Sequence, residues 1–146
     1  MPDASRSRTI AAPAQELWDV ISDPHHLPRW WPRVTRVEDV EEDAFTEVMK
    51  TRKGKLVRAD FRVLARDDVA HSLTWDQLLE GSPFAGVLKS AETEVRLQAG
   101  SAQATEVTIE LRQALTGVSR FGGYMVRRAA RATLDEALNG LERIGG

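Results

Sequence analysis

The sequence contains no cysteine. Disulfides and thiolate metal sites are therefore excluded, and the composition suits a reducing compartment such as the cytoplasm. Histidine is scarce as well, with only His25, His26 and His71 present. A zinc site needs three or four converging ligands, and the adjacent His25 and His26 diverge, so no metal site and no cofactor are expected. Either histidine reads as a solvated loop residue or as a lone proton carrier. No apolar run nears the roughly 20 residues that span a bilayer. The first twenty residues carry Asp3, Arg6, Arg8, Glu16 and Asp19 rather than the apolar core of a secretory leader. A cytoplasmic location is expected. An excess of one charge is also missing, because 20 Lys and Arg stand against 22 Asp and Glu. That balance leaves no broad electrostatic footprint for nucleic acid. The nucleophile elbow, the P-loop and the dinucleotide fingerprint are absent too.

What is present suits one domain over residues 1–146, long enough to bury a core without staples. Residues 4–11 alternate weakly and end in Thr9-Ile10-Ala11-Ala12, which predicts a first strand. Pro13 then opens a helical segment with Leu17, Val20 and Ile21 at helical spacing and Trp18 beside Leu17. Trp18 is expected in the core. Asp23-Pro24 stops that helix, and Pro28 and Pro32 hold the next segment to a short helix or turn.

From 34 to 115 the period changes to two. Val57, Ala59, Phe61, Val63 and Ala65 share one face, and Arg58, Asp60 and Arg62 share the other. Leu73, Trp75, Gln77 and Leu79 fall together, as do Val107, Ile109 and Leu111, with turns at Asp67-Asp68, Gly81-Ser82-Pro83 and Gly100-Ser101. A curved antiparallel sheet with one apolar and one charged face is predicted. Two charge runs border its first strands: Glu38, Asp39, Glu41, Glu42 and Asp43, then Lys50, Arg52, Lys53, Lys55 and Arg58. On neighbouring strands they would pair across the ladder, the alternative being a partner-binding patch. Residues 119–143 return to helical spacing, with Phe121, Met125, Ala132, Leu138 and Leu141 at mostly three- and four-residue intervals, and Phe121, Met125, Arg128 and Ala132 close to one stripe. A helix of that length reaches about 37 Å, enough to cross and cover the sheet. Gly122-Gly123 reads as a kink or a close approach within it.

The order of strand, two helices, about six strands and one long helix, together with "TIAAPAQELWDVISDPHHLPRWWPRVTRVE", resembles the START-like (SRPBCC) superfamily. Within it the chain is most similar to the polyketide cyclase/dehydrase and lipid-transport branch, along its whole length. The resemblance implies an α+β helix-grip fold: a curved sheet of about seven strands wrapped around a long C-terminal helix, with an apolar cavity between them. The superfamily hosts carriers, receptors, cyclases and regulators, so the likeness does not choose among functions.

On that fold, one of Trp30 and Trp31 is expected in the packing between short helices and sheet, and the other toward the cavity mouth. Ala59, Phe61, Val63 and Trp75 are the expected inner wall, with Phe84 near the mouth. Tyr124, Met125 and Arg128 are expected to reach the cavity from the long helix, so that Phe61, Trp75, Tyr124 and Met125 border one space. Arg128 could bind a carboxylate or enolate oxygen, or lie along the helix flank. Related cyclases place an arginine on the inward face of the fourth strand and a tyrosine after the short helix. In this sequence Arg58 and Arg62 fall on the outward phase, and Val34 stands at the tyrosine position. Only a bulge would turn Arg62 inward. Candidate proton carriers are therefore limited to Arg62, His71, Tyr124 and Arg128. The expected partner is a small hydrophobic ligand, lipid- or polyketide-like, bound by a monomer or homodimer. A polyketide cyclase, aromatase or dehydratase is the alternative, and a toxin-like regulatory partner protein the third reading.

Overall fold

The computed structural model describes residues 3–51, 53–86, 88–117 and 120–145, with only the backbone of Pro83, Phe84, Arg120 and Phe121. β1 (Ala4–Ile10) is followed by α1 (Ala14–Ile21), a short 3-10 turn (Pro24–His26) and α2 (Leu27–Trp30). Six strands come next: β2 (Val34–Glu38), β3 (Ala44–Lys50), β4 (Leu56–Asp67), β5 (Ser72–Leu78), β6 (Leu88–Ser101) and β7 (Ala104–Leu115). α3 (Arg120–Gly145) closes the chain. The strands form one antiparallel sheet in the order β1-β7-β6-β5-β4-β3-β2, so every neighbour except β1–β7 is also a neighbour in sequence. This is the helix-grip arrangement. No described helix is long and apolar enough to cross a membrane.

The period-two reading of β4 holds up to Val63. Ala59 is buried and Phe61 and Val63 are half-buried, while Arg58, Asp60 and Arg62 are exposed. The register then shifts between Val63 and Ala65, so Ala65 is exposed rather than inward. This bulge lies beyond Arg62 and leaves that arginine outside, where its Nε donates to Asp76 at 2.9 Å. The outer face carries several charged pairs. Arg112 holds Glu92, Glu94 and Glu110, and Arg58 binds Glu38 across from β2. The acidic and basic runs thus meet through Arg58, which also approaches Asp39 at 3.5 Å.

The closing helix buries a different stripe from the predicted one. Among the described residues, Ala130, Leu134, Ala137, Leu138, Gly140 and Leu141 are buried, whereas Met125 and Ala132 are exposed. Leu138 and Leu141 lie on the buried stripe, opposite Met125 and Ala132, and the Phe121 side chain lies outside the described residues. In the amino-terminal half Tyr124, Met125 and Val126 follow one another, so apolar side chains there point in several directions and spacing alone did not fix the rotation. Arg6 reaches Asp135 and Arg8 reaches Asn139 and Glu142, tying β1 to the polar flank of the correct rotation.

α3 is continuous through Gly122-Gly123, and a Cβ on Gly123 would meet nothing within 4 Å. The close approach is at Gly140. A Cβ there would sit 2.5 Å from the Trp30 carbonyl oxygen and 2.6 Å from its Cα. Both atoms are backbone, so no rotamer change relieves the contact. Gly140→Ala gains up to about 1 kcal/mol of helix propensity but incurs overpacking strain of about 1–3 kcal/mol. Urea denaturation is expected to show a net loss of about 1–2 kcal/mol. Unchanged or higher stability would show that α2 gives way freely.

Candidate functional site

α3 makes its main close approaches to β1, β7, α1 and α2, and not to β3, β4 or β5. Over that gap it presents Val126, Ala129, Ala130 and Thr133, side chains too short to reach the sheet. The result is a cavity of about 390 Å³, within the range of small-molecule sites. Leu134, Leu138 and Leu141, by contrast, fill the other half of the interface and are 0–1% exposed. The cavity exists because the helix is small where the sheet is aromatic.

That aromatic wall is built from Trp31, Phe61 and Trp75. α2 ends at Trp30, and Trp31 leaves it in extended conformation (φ −83°, ψ 131°), with the two indoles edge-on and their ring centroids 5.4 Å apart. Trp30 is buried beneath Gly140, with an indole N–H that has no partner among the described residues, while Trp31 borders the cavity. Trp31 meets Trp75 edge-on, with ring centroids 5.8 Å apart. Phe61 stacks on Phe45 at 5.3 Å, which holds it in place from the β3 side.

The sheet register brings polar groups to the same inner face. Gln77 pairs with Phe61, Thr93 with Trp75, and Gln113 with Ala91. On β3, Glu47 stands opposite Val37 and Ala59 and projects into the cavity. Glu47 is 2% exposed. Burial with no compensating charge pushes its carboxyl up to about 8. No side chain among the described residues hydrogen-bonds or ion-pairs with it. Gln113 adds a buried Oε1 that also lacks a partner among the described residues.

Glu47 and Gln113 are absent from the sequence-based candidates. The signal for Glu47 was its phase: in "AFTEVMK" it alternates with Phe45 and Met49, an acid between two inward apolar side chains. Its place beside two long charge runs masked that phase. Gln113 carried the same signal, in phase with Val107, Ile109 and Leu111.

Among the expected residues, the structure brings Trp31, Phe61 and Trp75 together around the cavity. Ala59 is buried next to Glu47 and Val63 packs on the core beside Trp75, but neither lines the space. Tyr124 and Met125 are 59% and 61% exposed, and Arg128 is exposed with them, because the helix is rotated away from the predicted stripe. The expectation that Tyr124 and Met125 border the cavity is corrected accordingly. The Phe84 side chain lies outside the described residues. His71 stacks on Trp18 at 5.2 Å on the far side of the core, and His25 pairs with Asp23 at 2.8 Å. The described residues contain no group of three or more His, Asp or Glu placed to hold a metal ion.

The profile of the family described as polyketide cyclase/dehydrase and lipid transport matches residues 1–144. Among solved structures, the chain resembles the di-domain ARO/CYC protein BexL of the BE-7585A biosynthetic pathway, with a TM-score of 0.83 at 19% identity. That match covers 98% of this chain but only 46% of the di-domain protein. The Zhui aromatase/cyclase from a Streptomyces species matches with a TM-score of 0.76 at 18% identity, covering 98% of this chain and 92% of that one. A START superfamily protein from Mycobacterium smegmatis matches at 0.77 and 16% identity, covering 96% and 94%. No curated protein matches the sequence. At these identities the structural likeness carries the fold alone.

Proposed function

The chain belongs to the polyketide cyclase/dehydrase and lipid-transport family, with a START-like fold, and from that premise we propose that it binds a small, mostly apolar ligand between sheet and α3. The observation that carries this reading is the cavity itself, about 390 Å³ walled by Trp31, Phe61 and Trp75. In this reading those three rings hold the ligand body, and Tyr124, Met125 and Arg128 stay outside it. Burying a ring of naphthalene size against such a wall is worth several kcal/mol at about 25 cal/mol per Å².

Ala130 is 5% exposed and borders the cavity from α3. Ala130→Phe places a ring in the space a ligand would occupy. The neutral dye prodan is expected to bind wild type with a blue-shifted emission and to lose at least about tenfold in affinity to the variant, or about 1.4 kcal/mol. Equal binding by both proteins would place the dye elsewhere and sink the reading.

Cyclisation or dehydration of a poly-β-keto substrate is the second reading. Glu47 favours it, because a carboxyl that titrates near 8 can exchange a proton close to neutral pH. An enolate would also need a cationic or hydrogen-bonding partner. Arg62, His71, Tyr124 and Arg128 all lie away from the cavity, which is why binding is preferred. Poly-β-keto turnover that Glu47→Gln abolishes would reverse that preference.

A further inference from the structure

The cavity carries acceptors that lack donors. Among the described residues, Glu47 supplies two carboxyl oxygens with no hydrogen-bond partner, and Gln113 Oε1 is buried and unpaired. No lysine, arginine or histidine is among the described residues lining the space, while three aromatic rings are. A buried polar group without a partner costs free energy, and a buried charge costs far more. The group missing from this cavity is therefore a donor, and a positively charged one satisfies the most.

We propose that the cavity is a site for a small apolar amine, bound as its ammonium, with Glu47 as counter-charge, Gln113 Oε1 as second acceptor and the Trp31, Phe61 and Trp75 rings around it. This rests on the cavity-binding reading and adds the charge class of the ligand. The ammonium brings three donors on one atom, and aromatic rings attract cations through their quadrupole. Above pH 8 the cost of burying the Glu47 charge is met when the protein folds; below it, ionising Glu47 is part of the cost of binding. A carboxylate ligand would bury a negative charge against a wall whose described residues offer no cation, and is rejected. An alcohol of the same shape satisfies fewer of the waiting acceptors and gains no charge pairing.

Binding has a proton balance. Near neutral pH Glu47 holds its proton, and pairing with an ammonium sends that proton to bulk water. Affinity for the amine therefore rises with pH until Glu47 is ionised in the free protein. The groups facing Glu47 are Val37 on β2, Ala59 on β4, the Gln77, Thr93 and Gln113 side chains of β5–β7, and Val126, Ala129, Ala130 and Thr133 on α3. None of these titrates, so the pH dependence belongs to Glu47.

The test is calorimetric titration with 1-naphthylmethylamine, 1-naphthalenemethanol and 1-naphthoic acid at pH 6, 7 and 8, on wild type and Glu47→Gln. The amine is expected to bind at least about tenfold tighter than the alcohol at pH 8, and to weaken at least about tenfold by pH 6. At pH 7, two buffers of different ionisation enthalpy are expected to report close to one proton released per amine bound. The amine's advantage over the alcohol disappears in Glu47→Gln; if that variant does not fold, the proton release and pH dependence of wild type carry the test. Equal binding of amine and alcohol, or tightest binding of the acid, overturns the proposal and leaves the cavity reading standing. Failure of both the amine and the alcohol to bind overturns both.

Discussion

Glu47→Gln is expected to stabilise the protein at pH 9 by on the order of 4 kcal/mol while leaving it nearly unchanged at pH 4. The cause is the carboxyl's displacement from its ordinary 4.5 to about 8 by burial in the cavity wall. Between those values the unfolded chain has released the proton and the folded one still holds it. Stability then falls as pH rises, by about 1.4 kcal/mol per pH unit. The loss begins above the unfolded value and is complete once pH passes the folded one. Below pH 4.5 both states carry the proton, and glutamine, of the same shape, substitutes at little cost. Urea unfolding of both proteins at intervals from pH 4 to 9 measures the difference directly, and groups common to the two cancel. Parallel stability curves for the two proteins would mean that Glu47 ionises freely in the folded state. The aromatic cavity would then be wetter around that carboxyl than its 2% exposure indicates.

The second large effect is at the opposite end of the core. Trp18→Ala is expected to cost about 3–5 kcal/mol, the range for truncating a large buried aromatic. Trp18 is 2% exposed, stacks on His71 and donates its indole N–H to Asp68 at 3.0 Å. His71 itself sits at φ 57°, a left-handed conformation rarely adopted by residues other than glycine, which the packing on Trp18 helps to hold. Trp18→Phe separates the contributions: it keeps an aromatic ring in the core but removes the hydrogen bond to Asp68, worth about 1–3 kcal/mol for a donor bound to a charged acceptor. Denaturant midpoints for the two variants measure both. A loss below about 1 kcal/mol in Trp18→Ala would show that the surrounding residues close over the gap.

Much of the fold was legible locally. Alternation in "KLVRADFRVLA" put Arg58 and Arg62 outside and Phe61 inside, because successive side chains on a strand point to opposite faces whatever lies beyond them. The same rule set Trp75 and Gln77 on one face. Leu17, Trp18, Val20 and Ile21 sat on the buried side of α1, since a short amphipathic helix has one apolar stripe to bury. The rule failed at Ala65, where the bulge after Val63 reset the phase. A bulge answers to the curvature of the whole sheet and leaves little trace in four or five residues.

The sequence by itself thus determined the order and type of the elements, the charged and apolar faces of the sheet, and the burial of Trp18, all of which follow from periodicities that act within a few residues. The tertiary structure alone decided which stripe of α3 meets the sheet, and with it the placement of Tyr124, Met125 and Arg128 in solvent. It decided that Gly140, and not Gly122-Gly123, carries the close approach, because only the crossing of α2 over α3 brings the Trp30 backbone there. It also decided the chemistry of Glu47. An acid in phase with Phe45 and Met49 becomes a buried, proton-holding group only where a distant helix offers Ala129, Ala130 and Thr133 in place of larger side chains. Desolvation depends on every atom that excludes water from a site, and those atoms come from five strands and a helix far apart in the chain.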